Sequence, residues 1–226
     1  MKRILVLISL LASLSTQAQI YVGTGGWGLS NSNFQLALDS LNGFSNKKIP
    51  AIPYGWYAEG GYNIKMEHMR SVFLAPVATY RQTLSSYGQS DSLSLALRQA
   101  LVGLRIVTGP RAWFDNMATG PLGTRFFLTA DAGFSMSHAS MKRIDNSSFS
   151  QTVLTPYLGV GCGQNLLVVA KHLVLTATFN LQAFHNQTFH TFQDQMFINH
   201  PTVHFNNPES WSYSAQLGLK FSWVIE

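Results

Sequence analysis

His138 and Ser140 stand two residues apart in the stretch "SHAS". An imidazole beside a hydroxyl is a pairing from which nucleophilic catalysis can be assembled. On an extended strand, residues two apart point to the same side but start about 6.6 Å apart, at roughly 3.3 Å of rise per residue. Side-chain rotation would have to close that gap to about 2.6–3.2 Å before a proton could pass. A plain surface His and Ser fit the same pattern. A second group, His185, His190, His200 and His204, gathers near the end of the chain. His200 and His204 have the four-residue spacing of helical metal ligands, but Pro201 and Pro208 oppose a helix there. Phe184, Phe189, Phe192 and Phe197 are interleaved with these histidines, and no cysteine or tight carboxylate cluster joins them. A packed loop cap is the plainer reading and metal ligation the alternative. No cofactor is expected, because the glycine runs lack the strand-to-helix setting of a phosphate loop.

The elements that would hold these residues are strands. "ESWSYSAQLGLKFSWVIE" puts Trp211, Tyr213, Ala215, Leu217, Leu219, Phe221 and Trp223 on one parity, with Ser212, Ser214, Gln216, Gly218, Lys220 and Ser222 on the other. Period two means a strand with one apolar face. Similar segments recur at "QIYVGTGGWGL", "YGWYAEGGYNI", "RSVFLAPVATYRQTL", "SLSLALRQALVGLRIV", "RFFLTADAGFSMSHAS", "TVLTPYLGVGCG" and "HLVLTATFNLQAF", making eight. The fourth changes its apolar parity near Arg98-Gln99, which predicts a β-bulge there. "MKRIDNSSFSQ" reads as a loop, "QNLLVVAK" as a short turn, and "NSNFQLALDSLNGF" in the first long connection as a short helix.

Composition says which solvent these strands face. Charged residues are 11% of the chain, against roughly 25% in soluble domains, while aromatics reach 12%. The start of the chain has Lys2 and Arg3, an apolar run from Ile4 to Leu14, and Thr16-Gln17-Ala18, the layout of a secretory signal peptide cleaved after Ala18. Residues 1–18 are thus expected to be a leader and 19–226 a single domain. The leader carries two basic residues of a chain whose net charge is +5, and no Lys/Arg run follows, so a nucleic-acid partner is not expected. Cys162 is the sole cysteine, so an intramolecular disulfide is excluded. No apolar run near 18 residues follows Leu14. An exported, charge-poor chain of alternating strands can still enter a membrane by closing its sheet, which leaves no backbone edge unpaired in lipid. The predicted fold is all-β: an eight-stranded antiparallel up-and-down transmembrane β-barrel in the cell outer membrane, with lipid as its surroundings.

Parity then assigns an inside. Glu59, Asp131 and Lys220 fall on the lumen side as a charge cluster, joined by Arg98 or Arg105 depending on where the bulge lies. Eight strands leave an interior filled by side chains rather than a wide pore, so these charges are expected to pair. His138 and Ser140 fall on the lipid side near the outer rim.

Two resemblances follow. "YVGTGGWG", "PYLGVGCG" and "SYSAQLGLKFSW", behind a leader ending at Gln19, resemble the PorT-like outer-membrane β-barrel domain family over most of the expected mature chain. That resemblance implies a small Gram-negative barrel and specifies no activity. The lipid-facing His-x-Ser resembles the catalytic pair of outer-membrane lipid A deacylases, which would make Ser140 the nucleophile and His138 its base. Those enzymes also orient the His with an acid about a dozen residues on, where this chain reads "SFSQTVLT" without Asp or Glu. The expectation is therefore a non-enzymatic barrel, structural or adhesive, or an accessory to secretion or transport subunits in that membrane. A lipid A deacylase-like hydrolase is the alternative.

Overall fold

Alternation of apolar and polar residues gives eight strands in a computed structural model that describes residues 18–30, 54–65, 72–83, 93–109, 125–143, 148–169, 173–185 and 211–225. They are β1 (Ala18–Ser30), β2 (Tyr54–Lys65), β3 (Val72–Thr83), β4 (Leu93–Thr108), β5 (Arg125–Arg143), β6 (Ser148–Val169), β7 (Leu173–His185) and β8 (Trp211–Ile225). Each pairs antiparallel with the next, and β1 closes on β8 from Ala18↔Ile225 to Ser30↔Tyr213. Closure pairs both edges of the sheet, the condition for a sheet to cross hydrocarbon.

The two faces of β8 show how the sequence chooses sides. Leu217 is 66% exposed on the outer wall, whereas Gln216 is 1% exposed in the lumen. The same inversion runs round the barrel: Val22, Val102, Leu104, Phe134, Leu154, Leu158 and Val160 face out, while Gln99, Arg105, Asp131, Thr155 and Asn180 are buried. Water would drive these apolar side chains in; hydrocarbon reverses the sign. Trp211 and Trp223 end the outer face of β8, and Trp56 and Tyr80 pack with ring centroids 5.6 Å apart near the rim opposite the chain termini. Such rings mark the interfaces of the belt.

Glycines let the lumen take large rings. Tyr57, Gly25 and Gly218 occupy one row across β2, β1 and β8, and a Cβ at Gly218 would strike the Tyr57 phenol. Tyr157 lies in the same way across Gly133 and Gly103 of β5 and β4. An aromatic side chain laid over neighbouring-strand glycines fills an interior too narrow for rings pointing straight inward.

Three expectations need correction. β4 keeps continuous register with both β3 and β5, so no bulge lies at Arg98-Gln99. Leu97 simply points inward, 1% exposed, because an interior filled by side chains also takes leucine. β6 runs to Val169 through the stretch read as a turn, with its register shift between Asn165 and Leu167. β5 and β6 extend to Arg143 and Ser148, taking up most of the loop read between them. The helix expected in the first long connection lies outside the described residues.

Candidate functional site

β4 aims Arg105 into the lumen, between Glu59 from β2 and Asp131 from β5. Arg105 Nη1 donates to Glu59 Oε1 at 2.5 Å and Nη2 to Glu59 Oε2 at 2.9 Å. Its Nε and Nη2 also donate to Asp131 Oδ1 and Oδ2 at 3.0 and 2.8 Å. The planar guanidinium thus holds two carboxylates by two-pronged bonds, a geometry that a lysine could not supply. Thr79 Oγ1 approaches Glu59 Oε2 at 3.4 Å, and the Tyr21 hydroxyl lies 3.5 Å from Arg105 Nη1. All three charged side chains are buried, so the group spans the lumen as a cross-brace.

Lys220 lies nearer the chain termini. Its Nζ sits 4.2 Å from the centroid of the Tyr21 ring and 5.5 Å from that of Phe127, where the ring faces attract a cation. Beside it is a cavity of about 10 Å³ lined by Gln19, Asn63, Asn165, Thr176 and Ser222, room for about one water. Asn63 Nδ2 donates to Gln19 Oε1 at 3.1 Å, and its Oδ1 is a buried acceptor without a hydrogen-bond partner among the described residues.

Arg81 occupies the other half of the lumen and was missed from sequence. It is fully buried, donating through Nη1 to Ser214 Oγ at 2.9 Å and through Nη2 to Gln182 Oε1. Its guanidinium carbon lies 5.5 Å from the Trp27 ring centroid and 5.7 Å from that of Phe184. The available signal was parity, since Arg81 follows Val77 and Thr79 on the inward face of β3.

The structure thus brings Glu59 and Asp131 together through Arg105, sets Lys220 below them, and turns Arg98 outward. His138 and Ser140 lie on the outward parity of β5, half-buried. His138 Nδ1 is 2.9 Å from Thr152 Oγ1 on β6, so the imidazole is engaged across the strand pair and not with Ser140. His185 makes an edge contact with Trp211, ring centroids 4.9 Å apart. His190, His200 and His204 lie outside the described residues. Among the described residues no group of three or more His, Cys, Asp or Glu side chains is placed to hold a metal ion. A concavity of about 600 Å³ lies on the wall of β6, β7 and β8, lined by Leu158, Val160, Leu181, Ala183, Tyr213 and Ala215. Those side chains point toward hydrocarbon, so it is a furrow in the lipid belt.

No family model matches the chain, and no curated protein matches it. Solved structures do. A major outer membrane protein from Thermus thermophilus shares 8% identity over 91% of this chain and 98% of its own, with a TM-score of 0.52. Ail, the attachment invasion locus protein of Yersinia pestis, in complex with the heparin analogue sucrose octasulfate, shares 11% identity over 93% of this chain and 99% of its own, at 0.50. Neisserial surface protein A shares 10% identity over 92% and 96%, at 0.45. The first two are likenesses of fold. A closed antiparallel barrel with a hydrocarbon-facing belt and ringed rims is an outer-membrane barrel, and that is the location of this chain.

Proposed function

We propose that the protein is a non-enzymatic outer-membrane barrel with a closed lumen, acting as a structural or adhesive element or as an accessory beside secretion or transport subunits. The observation that carries this reading is the Arg105 brace, which joins β2, β4 and β5 through the middle of the barrel. A side-chain-filled interior offers neither a diffusion path nor a chamber for a substrate. In this reading residues 1–18 are a leader and are removed. The termini face the periplasm, and the connections at 31–53, 84–92, 144–147 and 186–210 face outward and make whatever contacts the protein has. Kinship with the PorT-like barrels belongs to the same proposal and rests on the glycine- and aromatic-rich strands quoted above.

The rival is hydrolysis of lipid A acyl chains by Ser140 and His138. The engagement of His138 by Thr152 weighs against it, since a base must reach the nucleophile's proton. Mass spectrometry of lipid A from cells expressing the intact protein, Ser140→Ala, or neither decides between the two. The acyl pattern is expected to be the same in all three. Loss of one acyl chain only where Ser140 is intact would replace this proposal with the enzymatic one.

A further inference from the structure

The upper edge of the lipid belt is not alike all the way round. On β7, β8 and β2 it carries His185, Trp211, Tyr213 and Tyr54. On β3 to β6 one continuous row of directly opposed residues crosses the outer wall: Gln82↔Arg98, Arg98↔His138 and His138↔Thr152. We propose that this row is a docking site for the phosphate of an outer-leaflet lipid headgroup.

Height comes first. The next outward row toward the termini is Tyr80, Ala100, Met136 and Leu154, paired in the same order, with Met136 and Leu154 well exposed to hydrocarbon. On each of these four strands the outward side chain thus changes from aromatic or apolar to polar over one outward step toward the far rim. Tyr80 marks the boundary itself: its ring lies in the belt, and its hydroxyl reaches Gln82 Oε1 at 3.2 Å. Interfacial tyrosines sit in this way, ring in lipid and hydroxyl in the headgroups.

Chemistry comes second. Arg98 is exposed, and among the described residues no carboxylate pairs with it. Directly opposed residues hold their Cβ atoms about 4.5–5.5 Å apart, so His138 and Gln82 flank it closely. The Tyr80 hydroxyl occupies the Gln82 carbonyl oxygen, which leaves that side chain its NH₂ as a donor. When the Thr152 hydroxyl donates to His138 Nδ1, the ring proton stands on Nε2, again a donor. In that tautomer the row offers a guanidinium flanked by two N–H donors, and a phosphate offers acceptors to all three. Lipid is what adjoins this wall at this height, so the phosphate is a lipid's. The choice of leaflet rests on the orientation proposed above. The phosphate preference does not, and is tested where both leaflets carry the probe.

The full barrel is folded into phosphatidylcholine nanodiscs doped with a phosphorylated lipid A-type glycolipid or with the same glycolipid dephosphorylated. Native mass spectrometry of the released barrel counts what stays bound. The wild-type protein is expected to retain the phosphorylated form preferentially, and excess inorganic phosphate is expected to leave it bound. Arg98→Gln is expected to lower retention about tenfold, the worth of one charge-assisted contact, and His138→Ala to lower it less. Heat-modifiability on a gel checks that each variant is folded. Equal retention of both glycolipids, unchanged retention by Arg98→Gln, or stripping by inorganic phosphate would each overturn the proposal. Reversed orientation would appear separately, as loops in intact cells resistant to external protease.

Discussion

Arg98 and Arg105 stand on the same strand, one turned to the outer wall and the other to the lumen. Arg105 is sealed among side chains and grips two carboxylates; Arg98 stands near the edge of the belt with Gln82 and His138 directly opposite it on the neighbouring strands. Odd spacing along β4 separates them, so parity alone decides which solvent each guanidinium meets. The lesson is that a charge in this barrel is read by face and height together. In the lumen it must be matched by protein, and on the wall it is tolerated only where hydrocarbon ends.

The largest effect should come from breaking the inner pair. Arg105→Met strands two buried carboxylates and is expected to cost about 3–5 kcal/mol. Urea titration of the refolded barrel measures it. Adding Glu59→Gln and Asp131→Asn should recover most of the loss, since it is unpaired charge and not lost packing that destabilises. Next comes an arginine on the wrong part of the wall. Leu219→Arg, in the middle of the outer face of β8, should cost about 2–4 kcal/mol in the same titration, whereas Leu219→Val should be mild.

Packing separates the faces more gently. A Cβ at Gly163 would run into the Phe127 ring in the lumen, so Gly163→Ala should cost about 1–3 kcal/mol and be relieved by Phe127→Leu. An added Cβ at Gly26 would come no nearer than 3.9 Å to Gly55 O, so Gly26→Ala should leave the unfolding midpoint nearly unchanged. The smallest effect should be that of Arg98→Leu. At the interface an arginine costs about 0–1 kcal/mol, so its removal should hardly move stability. A large loss there would mean that Arg98 braces the fold.

Strand number, closure and the inside or outside of most residues were legible in the sequence, because lipid outside and a polar lumen inside give period two its full contrast. Glu59, Asp131 and Lys220 followed from parity alone. Contrast failed where the lumen is apolar. Phe73, Ala75 and Val77 are buried inside β3 opposite Leu74 and Ala78, so neither face of that stretch reads as polar, and Arg81 beyond it went unassigned. Leu97 misled in the same way, since an inward leucine resembles a change of face. The pairing of Arg105 with two carboxylates from different strands depends on register across the barrel, which spacing along the chain does not encode.

The closed lumen is tested most directly by single-channel recording of the folded wild-type barrel in planar bilayers. A brace of Arg105 with Glu59 and Asp131, backed by Arg81 and Lys220, should give a silent membrane at any moderate voltage. Sustained, reproducible conductance from heat-modifiable protein would contradict it.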